Sequence, residues 1–142
     1  MISLIIGKKG TGKTKVLVEH VNEAVHVSSG NVVCVEKETK LTYDVNYRAR
    51  LVAADTFAIK GYDAFYGFLS GICAGDHDIT DIFVDATYRI AEDKERTGEA
   101  LSSFLKKVDE LSKISDTKFT FTISSEMEEL PEAMFEYCTK IN

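Results

Sequence analysis

Residues 7–14 constrain the fold of this chain more than any other segment. They satisfy the pattern G-x-x-x-x-G-K-[ST] at all four of its fixed positions. The preceding residues 2–6 are apolar except for Ser3, which predicts a buried strand, and the residues from Val16 onward predict a helix. The pattern therefore lies in a turn from a strand into a helix, which is the setting in which it binds phosphate.

Glycine at positions 7, 10 and 12 lets backbone N–H groups approach phosphate oxygens without an intervening Cβ atom. The pattern assigns Lys13 to the β- and γ-phosphates of a nucleotide, and the Thr14 hydroxyl to magnesium. The alternative, a glycine-rich turn with incidental lysines, does not explain why every fixed position is filled. The predicted phosphate-binding residues are Gly7, Lys8, Lys9, Gly10, Thr11, Gly12, Lys13, Thr14 and Lys15.

A second element of such a site is an acidic residue at the end of a neighbouring hydrophobic strand. Ile82, Phe83 and Val84 form an apolar run that ends in Asp85, so Thr14 and Asp85 are the predicted magnesium ligands. The alternative role for Asp85 is a helix or turn cap.

The residue that would activate water is less evident, because Ala86 rather than glutamate follows Asp85. Glu36 ends the second predicted strand, and ligand crevices in parallel sheets form where strands end. Glu36 and Lys13 are our candidate catalytic residues. A solvated loop position is the alternative for Glu36. Arg89 and Arg96 flank a charged stretch and either contact transferred phosphate or face solvent.

Composition indicates one domain, residues 1–142, with a substantial core. No run approaches the roughly 20 apolar residues of a membrane span, and no signal peptide is evident, so we expect a cytoplasmic protein. The net charge of −6 makes nucleic acid an unlikely partner. Its three cysteines are widely spaced among apolar neighbours and are typical of buried thiols.

Segments typical of strands and helices alternate along the chain, which predicts an α/β three-layer sandwich. The sheet is expected to be mostly parallel, with about five strands and helices on both faces. Predicted strands cover residues 2–6, 31–36, 50–54, 79–85 and 119–123. Pro131 is expected to open a short closing helix that contains Met134, Phe135 and Cys138.

With the motifs at residues 7–14 and 82–85, the chain resembles the P-loop NTPases, more narrowly the branch of RecA-like ATPases and thymidine kinases. It looks most like short, uncharacterised bacterial ATP-binding proteins. The resemblance implies the P-loop NTPase fold with ATP and Mg²⁺ as ligands, and in RecA-like members a glutamate matching Glu36 polarises water. Thymidine kinases carry a glutamate after the aspartate and a zinc-bearing lasso, and this chain has neither.

We therefore expect a small magnesium-dependent ATPase or an ATP-dependent switch. Two alternatives stay open: a nucleotide-binding module with little turnover that acts through a protein partner, and a small-molecule phosphotransferase. No N-K-x-D string is present, which favours ATP over GTP. One side of the nucleotide would be open to a second copy of the chain or another protein. Lys8, Arg89 and Arg96 are the charged residues that we expect to contribute to such an interface.

Overall fold

The computed structural model describes residues 1–142. Its strands and α-helices are β1 Ile2–Gly7, α1 Lys13–Val27, β2 Asn31–Glu36, β3 Arg50–Ala53, α2 Tyr62–Gly75, β4 Ile79–Val84, α3 Thr87–Ile90, α4 Gly98–Ser115, β5 Lys118–Ser124 and β6 Cys138–Lys140. Short 3-10 helices cover Ala54–Phe57, Met127–Glu129 and Glu132–Glu136. The predicted α/β class is confirmed.

All six strands form one parallel sheet in the order β3-β2-β4-β5-β1-β6. The sheet has one strand more than the five predicted. β5 lies between β1 and β4, so it separates the strand that enters the glycine-rich loop from the strand that ends at Asp85. Because the strands are parallel, their carboxyl ends meet at one edge, where Gly7 pairs with Ser124.

The prediction for the end of the chain was correct in part. A short 3-10 helix, Glu132–Glu136, follows Pro131 and contains Met134 and Phe135, but Cys138 lies outside it and begins β6. β6 has three residues, too few to give a strand pattern in the sequence. It is held by pairing with Ile2–Leu4 of β1, and the Asn142 side chain then bonds both the N–H and the C=O of Ile6, at 2.9 and 2.8 Å.

The core lies in two clusters on opposite faces of the sheet. Alternate residues of β1 point to opposite faces, so Leu4 and Ile6 belong to a cluster of 28 buried residues and Ile5 to one of 11. α2 and α4 pack in the larger cluster and α1 packs in the smaller, so helices cover both faces. None of these helices combines the length and the apolar character that crossing a membrane requires.

Candidate functional site

The loop between β1 and α1 depends on its glycines. Gly10 and Gly12 have φ angles of +84° and +86°, in the left-handed region where only glycine is unstrained. A Cβ atom at Gly7 would lie 2.5 Å from Thr11 Oγ1. Thr11 in turn donates to the Lys8 carbonyl from its hydroxyl at 2.7 Å and from its N–H at 3.3 Å. The loop is therefore a close turn that residues with side chains at these three positions would distort.

Lys13 is the one lysine of the loop that folds back into it. Its Nζ atom donates to the Lys8 carbonyl at 2.8 Å, and only 9% of the residue is exposed. Burial lowers the pKa of Lys13 and the Arg96 charge lowers it further, whereas Asp85 opposes the shift. The ammonium group thus senses both the Arg96 cation and the Asp85 carboxylate, and an added anion would stabilise its charged form.

Three side chains from different elements meet where β4 ends. The Thr14 hydroxyl lies 3.1 Å from each carboxylate oxygen of Asp85, and the Thr122 hydroxyl donates to Asp85 Oδ1 at 2.9 Å. The Asp85 N–H donates to the Val35 carbonyl at 2.8 Å, and the Ala86 N–H donates to Thr122 Oγ1 at 2.7 Å. The Asp85 carboxylate is consequently fixed beside the first turn of α1.

This donor set fits magnesium. A threonine hydroxyl and a carboxylate are hard oxygen ligands, and Mg²⁺ bound through one or two protein groups completes its coordination with water and phosphate oxygens. The structure thus brings together Thr14 and Asp85, the two residues predicted as ligands, although they belong to separate elements.

A cleft of about 580 Å³ opens over these residues at the carboxyl edge of the sheet. Six basic side chains line it against three acidic ones, an excess of positive charge in a chain whose net charge is −6. The basic side chains are Lys9, Lys13, Lys37, Arg89, Lys94 and Arg96, and the acidic ones are Asp85, Glu92 and Asp93. A volume in the range of about 300–1,000 Å³ is typical of ligand sites, and this lining favours a polyanion.

The basic residues of the cleft differ in their partners. Arg89 pairs with Glu38 at 2.9 Å, and Lys37 pairs with Asp55 at 2.9 Å. Both acidic partners lie outside the cleft lining, in the segments after β2 and β3. The Arg96 side chain has neither a hydrogen bond nor an ion pair, so its charge is free to meet a ligand.

Asp93 holds the turn that carries Arg96. Its carboxylate accepts hydrogen bonds from the Tyr62 hydroxyl at 2.7 Å, the Thr97 N–H at 3.0 Å and the Thr97 hydroxyl at 3.2 Å. Glu92 and Arg96 both have left-handed backbones, with φ angles of +53° and +54°. Such conformations cost on the order of 1 kcal/mol or more for residues with side chains, and the contacts of Asp93 offset that cost.

Glu36 is placed differently from our expectation of a residue that faces the nucleotide. It is 3% exposed and does not line the cleft. Its carboxylate accepts hydrogen bonds from the N–H groups of Lys40 at 2.8 Å and Leu41 at 3.4 Å. These contacts make Glu36 a support for the loop that follows β2.

Other residues predicted for the site also lie away from the cleft. Lys8 pairs with Glu126 at 2.9 Å, and Lys15 is exposed on α1; neither lines the cleft. At the end of β5, Ser124 lines the cleft, whereas the neighbouring Ser125 is buried and donates to the Glu126 carbonyl. Sequence reasoning did not identify Thr122, Asp93 or Lys37 as parts of the site. Only Thr122 gave a signal, as a polar residue alternating with apolar ones in a buried strand.

Comparison of the sequence with protein-family models gives no match, and comparison with curated proteins gives none. The functional interpretation of the cleft consequently depends on its own residues and their geometry.

Proposed function

We propose that the protein is a P-loop NTPase that binds ATP with magnesium, and that ATP acts on it as a switch. The observation that carries the proposal is the contact of Thr14 with Asp85 at 3.1 Å, in the cleft that Lys13 also lines. This contact joins the two ligands that magnesium needs from the protein, in a cleft whose lining is mainly basic.

Each group has a distinct role in this proposal. The N–H groups of the loop and of the first turn of α1 hold phosphate oxygens, and Lys13 supplies a point charge to the β- and γ-phosphates. Arg96, which lines the same cleft, would meet the end of the polyphosphate. Thr14 and Asp85 would hold magnesium, which would supply positive charge against the phosphates.

Two ion pairs support the role of a switch. Arg89 and Lys37 line the cleft, yet they bind Glu38 and Asp55 in segments outside it. A polyphosphate would compete with these carboxylates for the same cations, and loss of a pair would free the segment to which the carboxylate belongs. ATP would thereby alter the contacts of the chain from residue 37 to residue 55.

The proposal is tested by calorimetric titration of ATP with and without magnesium, comparing Lys13→Ala with Lys15→Ala. We expect Lys13→Ala to lose affinity about a hundredfold or more, because two or more charge-assisted contacts at about 1.5–3 kcal/mol each disappear. Lys15 carries the same charge on the same helix but lies outside the cleft, so its variant is the matched control. Failure of the wild type to bind ATP, or equal affinities of the two variants, would overturn the proposal. A parallel titration with GTP measures base preference.

The nucleotide-binding module with little turnover has a specific observation in its favour. Glu36, the candidate base, is engaged by Lys40 and Leu41, and Ala86 follows Asp85. Of the three acidic side chains in the cleft, only that of Glu92 forms no hydrogen bond or ion pair. A phosphate-release assay with ATP and magnesium, with and without candidate acceptors, separates slow or absent turnover from hydrolysis and from phosphoryl transfer.

A further inference from the structure

A second cavity lies on the α2 side of the sheet, at the end formed by β2 and β3. Its volume is about 540 Å³, and eight of its twelve lining residues are hydrophobic. The apolar lining consists of Val32, Val33, Val52, Phe57, Ile59, Phe68, Ile72 and Ile79. We refer to the cavity with this lining as the β3 groove.

The β3 groove is separate from the proposed nucleotide site. Asn31, Arg50 and Ile79 line it at the first residues of β2, β3 and β4, whereas the nucleotide cleft lies where strands end. The two cavities have no lining residue in common. The β3 groove can therefore bind a ligand whether or not the cleft binds ATP.

The rim of the β3 groove is open and aromatic. β3 is an edge strand that pairs only with β2, and Phe57 at the rim is 59% exposed. Tyr47, one residue before the groove-lining Arg48, is 93% exposed. Aromatic residues and arginine are enriched in protein–protein interfaces, and both are present at this groove.

The free charge at the rim is positive. Arg48 and Arg50 line the groove, and neither side chain makes a hydrogen bond or an ion pair. Asp76, the one acidic residue of the lining, already accepts hydrogen bonds from the Asn31 amide at 2.9 Å and the Asp78 N–H at 2.8 Å. In a chain with a net charge of −6, two unpaired guanidinium groups are a local site for carboxylates.

We propose that the β3 groove docks an amphipathic segment of a partner protein, with apolar side chains in the groove and carboxylates on Arg48 and Arg50. The apolar side chains gain from leaving water against Val33, Val52 and Phe68. The carboxylates fix the orientation of the segment and discriminate against basic sequences. The edge of β3 and the flank of α2 frame the segment along its length.

A random 16-residue peptide library displayed on phage, selected against the immobilised protein, supplies a defined probe. We expect enriched peptides to combine apolar residues at regular spacing with aspartate or glutamate. Synthesised and labelled, they should bind the double variant Arg48→Glu/Arg50→Glu at least tenfold more weakly than the wild type, by fluorescence anisotropy. The control is Lys106→Glu/Lys118→Glu, which makes the same charge change at exposed sites outside the groove.

Several outcomes would overturn the proposal. They are a selection that enriches no sequence, enriched peptides without acidic residues, and equal binding to the arginine variant and the wild type. Displacement of the peptides by ATP would place them in the nucleotide cleft instead. Self-association of the wild type that the arginine variant abolishes would assign the groove to a second copy of the chain. If Arg48→Glu/Arg50→Glu unfolds at a lower temperature than the wild type, the same assays are made with Arg48→Gln/Arg50→Gln, which removes both charges without reversing them.

Discussion

The hydroxyl group of Thr14 lies 3.1 Å from both carboxylate oxygens of Asp85, although 71 residues separate the two in the chain. β5 makes the contact possible, because it sets the spacing between β1 and β4 and contributes Thr122 as a second hydroxyl donor to Asp85. If the Thr14 hydroxyl group rotates away from Asp85, one of its oxygen lone pairs becomes available to a cation. Thr14 and Asp85 are therefore preorganised to bind magnesium.

Asp85→Asn should remove most of the magnesium dependence of ATP binding while leaving metal-free binding almost unchanged. The carboxylate acts on the ion, whereas the N–H groups of the loop hold the phosphates. Loss of one charged ligand corresponds to about a ten- to hundredfold change in affinity, measured by titration with and without magnesium. Asp81→Asn, at the other end of the same strand, is the control. A wild-type magnesium response in Asp85→Asn would exclude the ligand role.

Gly7→Ala should weaken ATP binding, and a second substitution should recover part of the loss. The new Cβ atom would lie 2.5 Å from Thr11 Oγ1 and distort the loop. In Gly7→Ala/Thr11→Ala that oxygen is absent, and the nearest remaining Thr11 atom, Cβ, is at 3.5 Å, an ordinary contact. Titrations of both single variants and the double variant form a cycle. Equal losses in Gly7→Ala and in the double variant would show that another contact requires glycine.

Glu36→Gln should destabilise the loop after β2 more than it alters chemistry in the cleft. Glutamine keeps one acceptor but turns an NH₂ group toward the N–H of Lys40 or Leu41, which leaves a buried donor without a partner. We expect the free energy of unfolding to fall by about 1–3 kcal/mol.

Hydrogen exchange of Glu36→Gln should show a loss of protection at the N–H groups of residues 40 and 41. Glu38→Gln is the control for the loss of one negative charge. If ATP is hydrolysed, its rate should change less than tenfold. A hundredfold slower rate with unchanged stability would instead restore Glu36 as the general base.

Arg96→Ala should reduce the preference for ATP over ADP by about tenfold, because in the proposed complex the unpaired charge of this cleft-lining residue meets the end of the polyphosphate. Arg89→Ala should have a smaller effect, since Arg89 is already bound to Glu38 at 2.9 Å. Affinities for both nucleotides, measured on both variants, give the comparison. An unchanged ATP-to-ADP ratio in Arg96→Ala would remove Arg96 from the site.

ATP binding should be coupled to proton uptake at alkaline pH. In the free protein, burial and Arg96 lower the pKa of Lys13 below its usual 10.5, so part of the ammonium is deprotonated at a pH where a free lysine is charged. A triphosphate favours the charged form and raises the pKa again.

Titrations in buffers of different ionisation enthalpy should therefore show proton uptake that grows as the pH rises through the lowered pKa and is absent at neutral pH. The coupling should disappear in Lys13→Met. In the same alkaline range the lowered pKa makes the free fold more stable relative to the unfolded chain as pH rises, because the unfolded state binds more protons there. Uptake that persists in Lys13→Met would assign the proton to another group.

The sequence by itself determined the local features of the protein. The loop is one contiguous segment, and both of its positive φ angles fall on glycines: Gly12, which the pattern specifies, and Gly10, which this chain adds at a variable position. Asp85 was identifiable because an apolar run ends there. Segments typical of strands alternate with segments typical of helices along the chain, and this was sufficient to predict an α/β fold with a mostly parallel sheet. Strand and helix periodicities are properties of short segments.

Tertiary structure decided which distant residues meet. Thr122 reaches Asp85 because β5 lies beside β4, and Tyr62 of α2 binds Asp93 in the segment that carries Arg96. Glu36 ends a strand as predicted, but the following loop turns back so that the Glu36 carboxylate accepts hydrogen bonds from the N–H groups of Lys40 and Leu41. β6 exists through pairing with β1. Each of these outcomes depends on contacts between segments far apart or on the path of a loop, and such contacts leave no periodic signal in the local sequence.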